Sequence, residues 1–384
     1  AHELSHQWFG DLVTPAWWDD LWLNESFANY MGYTIAGQWK PELKAAEGAL
    51  AEGFEAMSTD SLLAGRPIHQ PIATNSQIDA AFDSITYGKG GHVVAMTAGY
   101  MGEEKFKQGV RGYMAAHKYG NATSKDFFAA MAKAAGDPRI TAAMQSFTDQ
   151  QGVPLITVTG ANGKYVIAQS RYAPLGVTAP NTRWGVPVCM RRGDARKCQL
   201  LTAKSAAFAI QGTGALMPNA GGTGYYRFDV PKAEWDRLIA GADRMDASET
   251  LALADSLSAS FRSGHASAAQ VLALSEKMAA NPSSNSSSLA FAMLGSLRRA
   301  GFFDDAGLNG YRRWTGTIAS KQYATLGFDP RQGAYTGAEP EAVQSRETMV
   351  SNLVFARDAP VKDKLAAAAA AYLAGDTKAL DPAY

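Results

Sequence analysis

His2-Glu3-Leu4-Ser5-His6 stands at the head of this chain, and Leu21-Trp22-Leu23-Asn24-Glu25-Ser26-Phe27-Ala28 follows with eighteen residues between His6 and Glu25. On a helix, side chains four apart share a face, so His2 and His6 present two imidazoles to one point. Glu3 lies beside them, near enough to handle a proton without serving as a ligand. Catalytic zinc commonly takes three protein ligands and keeps a fourth position open. A third donor is therefore expected from a second element crossing the first, and Glu25 supplies it. Its apolar neighbours Leu23 and Phe27 argue against the blander reading of a solvated helix charge. Val13-Thr14-Pro15 and Trp17-Trp18 read as the turn that brings the second helix back over the histidine face.

Outward from this stretch the pattern divides the chain into three regions. Residues 1–150 read as mainly helical, with apolar residues at helical spacing over 21–36, 91–101, 104–116 and 124–135. Ser124 is the expected cap of the last of these, and Gly136-Asp137-Pro138 its stop. Residues 151–232 carry short β-rich runs at 154–158, 165–168, 186–188, 208–210 and 224–228, separated by glycine and asparagine clusters, the pattern of a small β-sandwich. Residues 233–384 return to helical periodicity with abundant alanine. Helices are expected over 250–262, 267–279 and 289–300, stacked in pairs, with the serine-rich tract 281–288 as a loop. The expected fold class is multidomain α+β.

The string His-Glu-Leu-Ser-His-Gln-Trp-Phe-Gly-Asp, then Trp17-Trp18, then Leu-Trp-Leu-Asn-Glu-Ser-Phe-Ala resembles the signature of the M1 metallopeptidases, the gluzincin aminopeptidases. The resemblance implies a thermolysin-like catalytic part, with His2, His6 and Glu25 holding one Zn2+ and Glu3 acting as general base on the attacking water. Ile85-Thr86-Tyr87-Gly88-Lys89-Gly90 is similar to the family's Tyr-x-Lys-Gly segment. It implies that the Tyr87 hydroxyl stabilises the oxyanion of the tetrahedral intermediate. The activity implied is removal of amino-terminal residues from peptides. Gln150-Gln-Gly-Val-Pro-Leu155 looks like the family's entry into its β-sandwich, and Thr250-Leu-Ala-Leu-Ala-Asp255 like the first long helix of its carboxy-terminal domain. Two departures stand out: Ser26 replaces the family's glycine, and Gly32 stands where many members carry glutamate. The family's Gly-x-Met-Glu-Asn segment, which recognises a free α-amino group, lies upstream of the histidine motif. The chain is thus expected to be truncated at its amino-terminal side, and poorly active alone. The alternatives are a zinc peptidase of other specificity, or a catalytically inactive M1-like binding scaffold.

Composition narrows the partners. Lys plus Arg equals Asp plus Glu, 36 against 36, in 384 residues that are 46% hydrophobic. A balanced surface gives no electrostatic basis for binding nucleic acid, and the longest apolar run, 365–371, is too short to span a bilayer. Oligomeric state is not legible. Cys189 and Cys198 flank a Gly193-Asp194 turn, which leaves open a hairpin disulfide or two free thiols. The disulfide would lean towards a periplasmic or secreted setting. His69, His92, His117 and His265 show no ligand spacing and read as structural or surface residues, with His92 near enough to Tyr87 to border the site.

Overall fold

The computed structural model describes residues 1–279, 281 and 283–384. By compactness the chain forms two units, one of residues 1–241 with 248–267 and one of residues 242–247 with 268–384.

The first unit begins with a short helix α1 (His2–Ser5), a strand β1 (Val13–Pro15) and a 19-residue helix α2 (Leu21–Trp39). The segment expected as a plain turn therefore contains a strand. β1 pairs in parallel with β2 (Gly120–Ala122), so the connection is anchored to residues a hundred positions away. Next come α3 (Ala45–Asp60), α4 (Asn75–Asp79), a π-helical turn at Ile85–Lys89 that runs straight into α5 (Gly90–Met101), then α6 (Glu103–His117), α7 (Ser124–Ala135) and α8 (Arg139–Thr148). The α7 cap is Thr123 rather than Ser124. Its hydroxyl accepts from the Asp126 amide, and the Asp126 carboxylate accepts from the Thr123 amide, a reciprocal capping box that satisfies two otherwise unpaired donors. One core gathers Phe9, Trp22, Phe27, Val94, Phe106, Tyr113, Phe127 and Met131. Within it the Phe9 and Phe27 rings stack at 3.5 Å. Phe9 follows His6 by three residues and Phe27 follows Glu25 by two, so this contact clamps the histidine segment onto α2.

The strands expected beyond residue 150 are present. β3 (Pro154–Ala161) and β4 (Lys164–Arg171) form a hairpin in the register Pro154↔Arg171. With β7 (Ser205–Ala209) and β9 (Arg227–Asp229) they make a four-stranded sheet in the order β7-β4-β3-β9. Along β4 the residues Tyr165, Ile167, Gln169 and Arg171 are buried while their neighbours face outward, the period of two that a half-buried strand requires. A second sheet of β5 (Val186–Arg192), β6 (Ala195–Leu201) and β8 (Leu216–Met217) runs in the order β6-β5-β8. In its hairpin Cys189 faces Cys198 and the two are disulfide-bonded. Helices α9 (Lys232–Gly241) and α10 (Ala247–Arg262) follow.

The second unit contains α11 (Ala268–Ala279), α12 (Ser284–Arg299), α13 (Asp305–Leu326), α14 (Pro340–Phe355) and α15 (Ala359–Leu373). The serine-rich tract corrects an expectation. Residues 284–288 are helical and open α12, with the Ser283 hydroxyl accepting from the Ser286 amide as its cap. Serine is a poor helix interior but a good helix start, so a polar run read as a loop is here a capped first turn. Residue 282 of that tract lies outside the described residues. The core of this unit includes Ala319, Phe328, Met349, Val350, Leu353 and Val361.

Candidate active site

All five residues singled out in the sequence lie in the first unit. α1 is only one turn long, yet with its C-cap His6 still in helical conformation it holds His2 and His6 on one side, with their Nε2 atoms 3.2 Å apart. α2 lays Glu25 across them, with Oε2 3.4 Å from His2 Nε2 and 3.6 Å from His6 Nε2. Zinc bonds to nitrogen and carboxylate oxygen run about 2.0–2.2 Å, which separates the donors of a tetrahedron by roughly 3.3–3.6 Å. The three observed separations match those edges, and two imidazoles with one carboxylate are a donor set suited to zinc. The residues present therefore fit the ion that the sequence implies.

Asn24 sets the orientation of two of these donors. Its Oδ1 lies 2.9 Å from His6 Nδ1, and its Nδ2 donates to Glu25 Oε1 at 3.3 Å. The Phe9 carbonyl is also 3.1 Å from His6 Nδ1. Two acceptors at Nδ1 keep the proton on that nitrogen and leave the Nε2 lone pair facing Glu25. Gly32 packs against the start of α1, where an added Cβ would stand 3.3 Å from the His2 amide nitrogen. A side chain at this position would press on the backbone and Cβ of His2. Glu3 is exposed beside the histidines.

Tyr87 reaches the same carboxylate from a different part of the chain. Its hydroxyl faces the Glu25 carboxylate, and its ring lies 6.1 Å from that of His2. Burial first, then the Glu25, Glu3 and Glu52 carboxylates, push Tyr87 up to about 12, so the hydroxyl stays a proton donor.

The backbone around Tyr87 is tied to the helix that carries Glu25. Ser26 Oγ donates to the Thr86 carbonyl at 2.7 Å, and Asn29 Nδ2 to the Tyr87 carbonyl at 3.3 Å. Gly90 makes room for the Ser26 hydroxyl, because a Cβ there would lie 1.9 Å from Ser26 Oγ. The Ser26 departure thus links the carboxylate to the tyrosine. From the other side, Arg66 donates to Thr86 Oγ1 at 3.0 Å and pairs with Asp83.

Lys89, two residues past Tyr87, is wholly buried and pairs with the equally buried Asp60 of α3 at 3.0 Å. Lys89 also donates to the Gln150 carbonyl, while Asp60 accepts from the Gly152 amide and the Tyr225 hydroxyl. Burial pulls Lys89 below its ordinary value against the opposing pull of Asp60.

Several of these residues escaped the reading of the sequence. Asn29, Glu52, Asp60 and the role of Ser26 carry no motif, and α3, which bears two of them, was not singled out. The other histidines form no further tie to this centre. His69 sits between Asp19, Asp20 and Asp149 at 3.4–3.8 Å, and Asp20 also takes the Ser124 hydroxyl. His265 pairs with Asp229. His92 is buried on α5, and neither ring nitrogen has a hydrogen bond of normal geometry. Burial drives it down to about 4, opposed by the Gly222 and Thr223 backbone and by Asp255.

Residues 1–150 match the Peptidase family M1 domain, and residues 215–384 the ERAP1-like C-terminal domain. "Aminopeptidase M1" of Arabidopsis thaliana is 38% identical over 213 residues, 55% of this chain and 24% of that protein. "Probable aminopeptidase 1" of Saccharolobus solfataricus is 36% identical over 257 residues, 66% of this chain and 32% of that protein. "Puromycin-sensitive aminopeptidase" of Caenorhabditis elegans is 34% identical over 288 residues, 70% of this chain and 30% of that protein. The chain spans about a third or less of the length of these curated relatives. Residues 1–150 thus belong to the peptidase family M1 domain, and an ERAP1-like C-terminal domain follows over residues 215–384.

Proposed function

We propose that this chain carries the catalytic centre of a zinc-dependent aminopeptidase. The observation that carries the reading is the convergence of His2, His6 and the Tyr87 hydroxyl on one carboxylate, Glu25. His2, His6 and Glu25 would hold the metal. When bound, zinc supplies the Lewis acidity that activates water and polarises the substrate carbonyl. Glu3 takes the proton of the attacking water and returns it to the leaving amine. Tyr87, whose hydroxyl faces the same carboxylate, donates to the oxygen on which negative charge develops. Asn24 keeps His6 and Glu25 in place, and the Ser26 and Asn29 bonds hold the tyrosine at a set distance from the ligands. The names of the relatives support the choice of the peptide amino terminus as substrate. The disulfide supports an oxidising compartment.

The test is elemental analysis of the purified protein beside a Glu25→Ala variant, with circular dichroism on both and peptide substrates with free and blocked amines. The expected result is about one zinc per chain, sharply reduced in the variant, as for a three-ligand site. Turnover is expected to vanish on blocking the amine. A well-folded wild-type protein without zinc would refute the metal site. Undiminished cleavage of blocked peptides would refute the aminopeptidase specificity.

A further inference from the structure

A cavity of about 210 Å3 opens beside the site, and Tyr87 forms part of its wall. Its lining is largely apolar: Tyr30, Leu50, Ala95 and the face of Tyr33 contribute, along with the backbone of Gly88 and Gly91. Among the described residues that line it, Glu52 of α3 is the single carboxylate, and no lysine or arginine stands with it. Glu52 Oε2 accepts from Asn29 Nδ2 at 3.0 Å, and the Tyr33 hydroxyl lies beside the same carboxylate. These are neutral donors. Among the described residues no cationic side chain pairs with Glu52, although it is half-buried. His92, also in the wall, is buried and held neutral near pH 7, so it does not balance the charge.

An apolar channel ending in one uncompensated carboxylate matches a particular kind of side chain. Arginine and lysine carry a long aliphatic stem with the charge at its tip. The stem would lie along Leu50 and Ala95, the cation would meet Glu52, and the rings of Tyr30, Tyr33 and Tyr87 offer π faces to it. A leucine-like side chain fills the same walls but leaves the carboxylate unpaired, and an acidic one adds repulsion.

We propose that this cavity is a specificity pocket for a cationic side chain, arginine or lysine, on a substrate residue flanking the scissile bond. The proposal rests on the peptidase reading, because Tyr87 is what joins the cavity to the reacting centre.

The experiment compares peptides that differ only at one position next to the scissile bond, with arginine, lysine, norleucine or glutamate there and alanine elsewhere. One series varies the residue before the bond and a second series the residue after it. In one series the wild-type protein is expected to favour arginine and lysine over norleucine by about ten-fold or more in kcat/KM. Glu52→Gln keeps an amide oxygen for Asn29 but removes the charge, and it is expected to bring that ratio close to one. No preference for the cationic peptides in either series overturns the proposal, and so does a preference that survives Glu52→Gln. The wild-type ratios decide the matter even if the variant does not fold. If no peptide is cleaved, calorimetric binding of arginine amide against norleucine amide judges the pocket alone, separately from the peptidase reading. Tighter binding of arginine amide that Glu52→Gln abolishes supports it, and equal affinities overturn it.

Discussion

Replacing Asp60 with asparagine takes one negative charge out of a sealed pair while keeping nearly the same side-chain shape. Both Asp60 and Lys89 have side chains that are 0% exposed, and their charged atoms are 3.0 Å apart. Asparagine retains an oxygen for the Gly152 amide and nearly the same shape, and besides the charge it removes the acceptor of the Tyr225 hydroxyl. Lys89 would keep its bond to the Gln150 carbonyl and its place 5.7 Å from the Tyr225 ring centre, neither of which neutralises an ammonium group. Breaking one side of a buried pair costs about 3–5 kcal/mol, because the partner is left charged and out of water. At roughly 2–4 °C per kcal/mol for a domain of this general size, the unfolding midpoint should fall by roughly 6–20 °C. The assay is thermal unfolding, followed by tryptophan fluorescence, of wild type, Asp60→Asn, Lys89→Met and the double variant. The two single losses should be large, and the double variant should be milder than their sum by about 2 kcal/mol or more. A loss below about 1 kcal/mol for Asp60→Asn would refute the reasoning. So would simple additivity in the double variant. The pair lies two residues from Tyr87, so Asp60→Asn should also lower kcat in any peptide assay.

Three further outcomes are expected. On the proposed mechanism Tyr87→Phe should lower kcat by about 100–1000-fold with little change in KM, since the hydroxyl would act on charge that develops only in the transition state; steady-state kinetics with unchanged kcat would remove the tyrosine from the mechanism. Gly90→Ala should cost about 1–3 kcal/mol through overpacking against Ser26 Oγ, and most of that cost should disappear in a Ser26→Gly background. Denaturant titration of the four variants reads this, and an equal cost in both backgrounds contradicts it. His92 should make the fold acid-sensitive. Its folded value lies near 4, below the ordinary 6.5, so the unfolded chain takes up the proton first. Stability is therefore complete above about pH 6.5 and is lost as pH falls towards 4, by roughly 3 kcal/mol for this residue. Denaturation at pH 7 and pH 4.5 should show a smaller pH-dependent loss in His92→Leu than in wild type, and equal losses would disprove it.

How much of the site was legible follows from the range over which each contact acts. His2 and His6 could be paired from the sequence because helix geometry fixes side chains four apart. Glu25 could be added because one short connection joins the two segments. The strand pattern of 154–171 was legible for the same local reason, as alternation along β4 is a property of consecutive residues. The serine tract misled because serine's preference for backbone hydrogen bonds marks both loops and helix starts, and only the bonded partner distinguishes them.

By itself, the sequence determined which side chains have the chemistry for this centre and that the first of them share a helical face. Only the tertiary structure decided what holds them and what lies next to them. Asp60 finds Lys89 across 29 positions, Ser26 finds the Thr86 carbonyl across 60, and Glu52 is brought beside Tyr87 by the packing of α3. None of these pairs is encoded in a spacing. Each depends on burial that removes water from the groups involved, and that is a property of the packed core rather than of any segment within it.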